Sequence, residues 1–550
     1  MRKDIKKDMK NSDIKSSELN TSDSTYNYNK NYDYKDYKDK NIRNININND
    51  IDNGADNNIA ASNDSDIINS KYETVIGLET HVELSTETKM FCGCKLSFGE
   101  KPNTYTCPVC LGHPGSLPVI NKKAIESAIK IALALNCTIN SHTVFHRKNY
   151  FYPDMPKNYQ ISQYDLPIGV NGYIDINMGG YIRRVGITRV HIEEDTGKLI
   201  HIGATGRINE ANYSIVDFNR AGTPLVEIVT MPDIKSPLEA KQYMITLRNT
   251  LLMLNVSDCS MEEGSIRSDA NVSVKLKESD KLGIRTEIKN LNSFKFLQKG
   301  LEYEVERQIN VLESGREVIQ QTRHYDNKTQ TTKVLREKEE AHDYRYFPDP
   351  DLVPMKISLD WINEIKNTLP ELPGAREKRY KTSLGLSDYD SSFLANNFEI
   401  SSYFEEALKY HDNAKAICNW IMGDFTSFIN KDSISISESK ISPQSLASLV
   451  KMIDSQEINI KIAKSVFEEM YASGKTPQEI ISDKNLKQIN NANELDLLVD
   501  EIISKNPDAV VQYKSGKTKA LGFLVGQIMA KTQGKANPKI VNELIIKKLS

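Results

Sequence analysis

No apolar run in this 550-residue chain approaches the roughly 18 residues that a membrane span requires. The N-terminus also lacks the apolar stretch of a secretory signal, so a soluble, non-secreted chain is expected, cytoplasmic with an organelle not excluded. Positive charge is not in excess either. A formal net charge of −3 leaves any nucleic-acid contact to local basic patches rather than to a field of the whole molecule. Cysteine is scarce, seven residues in all with four between Cys92 and Cys110, which fits a reducing compartment and a metal site better than a disulfide framework. Aliphatic side chains are nearly missing from residues 1–70, where Asn, Asp, Lys, Ser and Tyr recur in stuttering pieces. Such a segment cannot offset an ordering entropy of roughly 1 to 2 kcal/mol per residue, and a disordered low-complexity extension is expected. Its many Asp and few Arg residues argue against a transit peptide.

What is present begins with Val75-Ile-Gly-Leu-Glu-Thr-His-Val-Glu-Leu84. With a period of two, Ile76, Leu78, Val82 and Leu84 face one way and Glu79, His81 and Glu83 the other, as in a half-buried strand. Three further strand-like pieces carry acids. Ile187-Thr-Arg-Val-His-Ile-Glu-Glu-Asp195 ends in three carboxylates, so at least one meets the polar side whichever way the strand faces. Thr223-Pro-Leu-Val-Glu-Ile-Val-Thr230 sets Glu227 in an apolar run, where a carboxylate has to be paired or metal-bound. Ile266 to Leu276 alternates cleanly and places Asp269 on a polar face like that of Glu79. Taken singly, each acid is served as well by a salt bridge with Arg189, Arg220 or Arg267; jointly they favour a curved antiparallel sheet holding Mg²⁺ or Mn²⁺ for phosphoryl transfer.

Cys92-Gly-Cys94 and Cys107-Pro-Val-Cys110 supply four thiolates on neighbouring loops, the donor set of a structural zinc. Four sulfur ligands leave no open position, so the zinc fastens loops and the chemistry lies elsewhere. Cys137, Cys259 and Cys418 read as core residues. Phe145-His-Arg-Lys-Asn-Tyr-Phe-Tyr-Pro-Asp154 interleaves basic and aromatic side chains, which suits nucleotide phosphates and bases or equally a core edge with solvated charges; Arg147, Lys148 and Tyr150 are its candidate nucleotide-binding residues. A helix is expected from about Lys122 to Leu135, and another opens at the N-cap Ser293 and closes at Gly315. From about Leu369 the chain turns to short amphipathic helices, with Ser442-Pro443, a Thr476-Pro-Gln-Glu479 capping box and Asn537-Pro538 as helix starts, and a hinge near Gly474. Gly516-Lys-Thr518 imitates a nucleotide-binding loop, but Val511 stands where its first glycine is needed and no strand precedes it. The fold class expected is α+β: a mainly antiparallel sheet domain (71–368), an all-α helical domain (369–473) and a small helical tail (474–550), after the extension 1–70.

The strand motif at 75–84 joins Arg147-Lys-Asn-Tyr-Phe-Tyr-Pro-Asp154, Tyr159-Gln-Ile-Ser-Gln-Tyr-Asp165, His191-Ile-Glu-Glu-Asp195 and Asn219-Arg-Ala-Gly-Thr-Pro224. It is followed by Met261-Glu-Glu-Gly264, Lys289-Asn-Leu-Asn-Ser-Phe294 and Asp343-Tyr-Arg-Tyr-Phe-Pro348. In this order they closely resemble the B subunit of the tRNA-dependent amidotransferases that convert Glu-tRNA(Gln), and in many organisms Asp-tRNA(Asn), to the amidated form. The resemblance implies a cradle-shaped catalytic domain, a helical domain and a tail that touches tRNA. It matches Glu79, His81, Glu194, Glu227 and Asp269 to the family's Mg²⁺-binding kinase site, with Glu193 adjacent. Catalysis is then expected of Glu79, His81, Glu193 and Glu194, and the cysteine pairs match a zinc knuckle that some members have. The implied reaction is phosphoryl transfer from ATP to the side-chain carboxylate of the misacylated residue, followed by attack of ammonia. A partner amidase, the A subunit, makes that ammonia from glutamine, and a small C subunit clasps the pair. Thr80 replaces a common Val, Met231 a usual Glu and Ser268 a frequent Cys, and none of these removes a proposed ligand. Glu83 gains no such support and reads as ordinary polar sheet surface. Two rival readings are a zinc-containing RNA-binding module without chemistry and a metal hydrolase acting alone.

Overall fold

The structure, a computed structural model, describes residues 71–203, 211–337, 344–432, 434–484, 486, 492–532 and 534–549, all within one compact unit, 47–550. The extension 1–70 and the acidic stretch 338–343 lie outside the described residues.

The first half opens with β1 (Tyr72–Glu83), then α1 (Lys122–Ala134), β2 (Thr138–Ile139), β3 (His142–Thr143), β4 (His146–Asn149) and β5 (Tyr159–Ser162). β6 (Gly169–Asn177), β7 (Ile182–Glu194), the ribbon β8 (Lys198–Gly203) and β9 (Ala211–Asp217), β10 (Pro224–Thr230) and α2 (Pro237–Met253) follow. The half closes with β11 (Ile266–Leu276), β12 (Thr286–Lys289), α3 (Phe294–Glu313), β13 (Gln321–Asp326), β14 (Thr331–Glu337), β15 (Phe347–Pro348) and β16 (Met355–Lys356). Nine of these strands form one sheet in the order β14-β13-β12-β11-β1-β10-β7-β6-β2, so the motif strand β1 stands at its centre. Every pairing in it is antiparallel except β12 with β13. A smaller sheet, β15-β4-β5, hangs from the end of β7, where Gln160 Nε2 donates to the Glu194 carbonyl at 2.7 Å and Ile192 N–H to Gln163 Oε1 at 2.9 Å.

Alternation decides which face is which. Ile76, Leu78 and Val82 of β1, Ala270 and Val272 of β11, Val226 and Ile228 of β10 and Val190 and Ile192 of β7 are all buried in one core. Helices cover that face, with Ala128, Ile129 and Ala132 of α1, Tyr243, Met244 and Leu247 of α2, and Leu297, Leu301 and Val305 of α3. The helices start where the sequence signals them: Asn121 Oδ1 accepts from the N–H groups of Lys123 and Ala124, and Ser293 Oγ from that of Phe296. With the apolar face sealed, the odd-numbered polar residues of the same strands are left lining the open face.

From Leu359 onward the described chain is mainly helical, and no nucleotide-binding strand–loop–helix forms at Gly516, which sits between helices Pro507–Lys514 and Lys519–Lys531. A second core runs from Tyr380 to Ile481 and a third from Leu495 to Leu549. Gly474, with φ +77°, caps helix Ile460–Ser473, but the next helix, Pro477–Lys484, returns Ile480 and Ile481 to the second core. The cores therefore change over between Ile481 and Leu495, beyond the glycine where the sequence suggests a hinge. The capping box at Thr476 forms, with Thr476 N–H donating to Glu479 Oε2 at 2.8 Å.

Candidate active site

The open face of the sheet forms the floor of a cavity of about 420 Å³. β1 contributes Glu79 and His81, β7 Arg189, His191 and Glu193, β10 Glu227, β11 Asp269 and Asn271, and β12 Glu287 and Lys289. The small sheet adds Lys148, Gln163 and Tyr164, and the segment before β15 adds Tyr344 and Tyr346. Register explains the meeting. His81 lies opposite Glu227 and Glu227 opposite His191, which sets one row across three strands, while Glu79 lies opposite Asp269 on the other side of β1.

At the centre, ligand atoms of His81, Glu193 and Glu227 all lie within 4.8 Å of one another. His81 Nε2 stands 3.4 Å from Glu227 Oε2 and 3.6 Å from Glu193 Oε1, and His191 Nε2 stands 3.3 Å from Glu227 Oε2. These separations exceed the usual 2.7–3.2 Å of an N–H···O bond, as for donors that converge on a shared centre more than on each other. An imidazole with two carboxylates is a donor set that hard divalent cations accept, so the residues present fit a Mg²⁺ site. Burial opposes a charge on His81, but Glu227 and Glu193 override it and raise its pKa to about 9. Burial likewise pushes Glu227 up, yet the two histidines hold it well below the usual carboxylate range. Glu79 is raised, by burial first and then by Glu227, Glu287 and Asp269, and its Oε1 accepts from Asn271 Nδ2 at 2.9 Å. Asp269 is bound by Lys289, which also reaches Glu287, at 2.7 and 2.8 Å.

Two expected ligands therefore line the cavity beside the central trio: Glu79 directly, and Asp269 with a lysine on it. Glu194 does not line it. Alternation along β7 turns Glu193 to the open face and Glu194 to the face of Val190 and Ile192, where it is 2 % exposed, ion-paired with Lys157 and accepting the Ile161 N–H at 2.9 Å. Of the basic and aromatic stretch, Lys148 alone lines the cavity, its ammonium 5.0 Å from the Tyr344 ring centroid. Arg147 instead pairs with Asp349 and Asp351 at 2.8 and 2.9 Å and lies on the Tyr159 ring, and Tyr150 packs edge-on to Tyr344. Tyr164 and Tyr346 stack at 4.5 Å and form an aromatic wall. Glu83 faces away from the cavity toward Asp195; burial and that neighbouring carboxylate raise its pKa to about 8 beside Arg267 and Arg220.

The four cysteines of the two short motifs come together as well, with sulfur atoms within 4.8 Å of one another. Zn–S bonds of about 2.3 Å at tetrahedral angles need sulfurs roughly 3.8 Å apart, so the cluster fits a tetrathiolate zinc. Cys137, Cys259 and Cys418 are buried in the cores.

The GatB/GatE catalytic domain family matches residues 74–363, and the GatB domain family matches residues 402–549. The B subunit of the aspartyl/glutamyl-tRNA(Asn/Gln) amidotransferase of Carboxydothermus hydrogenoformans is 53% identical over 480 residues, covering 87% of this chain and 99% of that protein. Its counterpart in Geotalea daltonii is 51% identical over 479 residues, with 87% and 99% covered, and that of Thermoanaerobacter sp. strain X514 is 50% identical over 480, with 87% and 100% covered. The chain belongs to the amidotransferase B-subunit family. Within this family member, sequence reasoning passed over His191, Lys289, Glu287 and Tyr346. His191 was legible, since it shares the odd-numbered face of β7 with Arg189 and Glu193. Lys289 and Tyr346 reach the cavity through strand order and a return of the chain that no local pattern announces.

Proposed function

We propose that this chain is the ATP-dependent subunit of a glutamine-dependent carbon–nitrogen ligase that amidates misacylated Glu-tRNA(Gln), Asp-tRNA(Asn) or both. The observation that carries the reading is the convergence of His81, Glu193 and Glu227 in a polar cavity of a chain that spans 99% of a relative so named. ATP phosphorylates the side-chain carboxylate of the misacylated residue, and ammonia from a partner amidase displaces the phosphate. His81, Glu193 and Glu227 would hold Mg²⁺, with Glu79 and Asp269 beside them. Magnesium, when bound, neutralises the polyphosphate and the substrate carboxylate, which otherwise repel each other.

The chain's own residues do the rest. Lys148 offers a fixed ammonium to the phosphates from above the floor. Tyr164 and Tyr346 give a planar wall on which a base can stack. Glu79, through Asn271, and Lys289, through Asp269, keep β1, β11 and β12 in register beneath the reacting groups. Glu194 and Arg147 act from behind: the first holds β5 through Ile161, the second ties β4 to the segment after β15. Tyr150 buttresses Tyr344. The proposal includes a structural zinc on Cys92, Cys94, Cys107 and Cys110, amidase and small-subunit partners, a cytoplasmic site of action, and division of the chain at about residues 71, 369 and 474. No helix among the described residues is long and apolar enough to cross a membrane.

The test is coexpression with the partner subunits and an amidation assay on both misacylated tRNAs. His81→Ala, Glu193→Gln and Glu227→Gln are expected to abolish ATP-dependent amidation while tRNA binding persists. Unchanged turnover in all three would leave the chain a binding module without chemistry.

A further inference from the structure

Lys89 is fully buried, at 0 % exposure. Its ammonium donates to the Tyr105 carbonyl at 2.8 Å, to the Phe218 carbonyl at 3.1 Å and to Cys110 Sγ at 3.6 Å. Two carbonyls satisfy its donors but do not cancel its charge. A buried ammonium needs an anion nearby, because desolvating it costs several kcal/mol that dipoles alone do not return. Among the described residues no carboxylate lies within ion-pair distance of it. Glu194 is the neighbouring acid, since a Cβ on Gly222 would touch both Lys89 Cδ, at 3.4 Å, and Glu194 Oε2, at 3.8 Å. But Glu194 is taken by Lys157. What remains is the cysteine cluster. Four thiolates around a divalent ion leave that centre doubly negative, and Cys110 Sγ is the sulfur that Lys89 reaches.

We infer that Lys89 is the charge partner of the zinc tetrathiolate and clamps the knuckle to the loop that enters β10. The clamp joins two otherwise separate parts. Tyr105 belongs to the knuckle, between Cys94 and Cys107, while Phe218 begins the turn that runs through Arg220 and Gly222 to Pro224, the first residue of the strand that carries Glu227. The turn is held at the same place by Asn219, whose Oδ1 accepts the Tyr105 N–H at 2.8 Å and whose Nδ2 donates to the Lys101 carbonyl at 2.7 Å. Met90 N–H, next to Lys89, donates to the Gly222 carbonyl at 2.8 Å. Zinc occupancy is thereby felt along the turn that leads to the cavity, through a residue that is neither a zinc ligand nor a cavity residue. Lys89 is a positioning residue, and this role rests on the zinc reading of the cysteine cluster.

The experiment uses the full chain, reconstituted with zinc under reducing conditions, and follows zinc release to a chromogenic chelator. Lys89→Met keeps the length of the side chain without its charge and is expected to release zinc about 10- to 100-fold faster, with Lys89→Arg restoring most of the retention. Equal release from Lys89→Met and wild type overturns the inference. Hydrogen exchange on the wild-type chain keeps the question open to test even where Lys89→Met fails to fold: removal of zinc is expected to deprotect amides in residues 218–223 along with the knuckle. Unchanged protection there overturns the clamp. A wild-type chain that takes up no zinc overturns the zinc reading itself, which is a separate result from zinc held equally well without Lys89.

Discussion

Adjacent glutamates at the end of β7 should fail in opposite ways. Glu193 faces the cavity with His81 and Glu227, whereas Glu194 is buried against Lys157 on the other side of the strand. Glu193→Gln removes one charge from a cluster of acids and should weaken Mg²⁺ or Mn²⁺ binding with little loss of stability. Glu194→Gln leaves the Lys157 ammonium, only 8 % exposed in its side chain, without its counter-charge. Breaking a buried pair from one side costs roughly 3–5 kcal/mol, which for a domain of this size corresponds to a fall of roughly 10 °C in melting temperature. Lys157→Met on top of Glu194→Gln should recover most of that loss, because a neutral buried pair no longer carries an uncompensated charge. Thermal denaturation and Mn²⁺ titration of the same four proteins read both effects. If Glu194→Gln loses the metal as Glu193→Gln does and melts like the wild type, the assignment of faces along β7 is wrong.

Metal affinity should also follow pH. His81 has its pKa raised to about 9 by Glu227 and Glu193, so below that pH a proton occupies the nitrogen that the metal needs, and Mg²⁺ affinity is expected to rise with pH and level off above about 9. The same raised pKa stabilises the metal-free chain fully below about pH 6.5, and this contribution is lost as pH rises through about 9; a flat titration in metal-free wild type, or an unchanged slope in His81→Ala, would refute both statements. Gly172→Ala should cost about 1–3 kcal/mol in urea denaturation, because the new Cβ would lie 2.4 Å from both Cys137 Sγ and the Leu135 carbonyl oxygen. Ser293→Ala should cost about 1 kcal/mol by exposing the Phe296 N–H at the start of α3, a loss that Ser293→Asp should not show.

Much of this protein is determined locally and can be read from the chain. The alternation of Ile76, Leu78 and Val82 against Glu79 and His81 separates core from cavity before any neighbour is known, and Ser293, Ser442 and Asn537 mark helix starts because their side chains meet backbone donors a few residues away. The paired cysteines are close in sequence and so meet in space. Period-two alternation likewise separates Glu193 from Glu194, once Val190 and Ile192 are seen to share the parity of the latter. What only the tertiary structure decided is which faces adjoin. His81, His191 and Glu227 form a row because β10 is inserted between β1 and β7, and Lys289 reaches Asp269 because β12 pairs with β11; a strand's own residues say which side they face but not which strand lies alongside. Lys89 shows the same limit in one side chain. In the sequence it is a lysine next to a methionine, and only the closing of the knuckle over residues 218–223 makes it a buried charge.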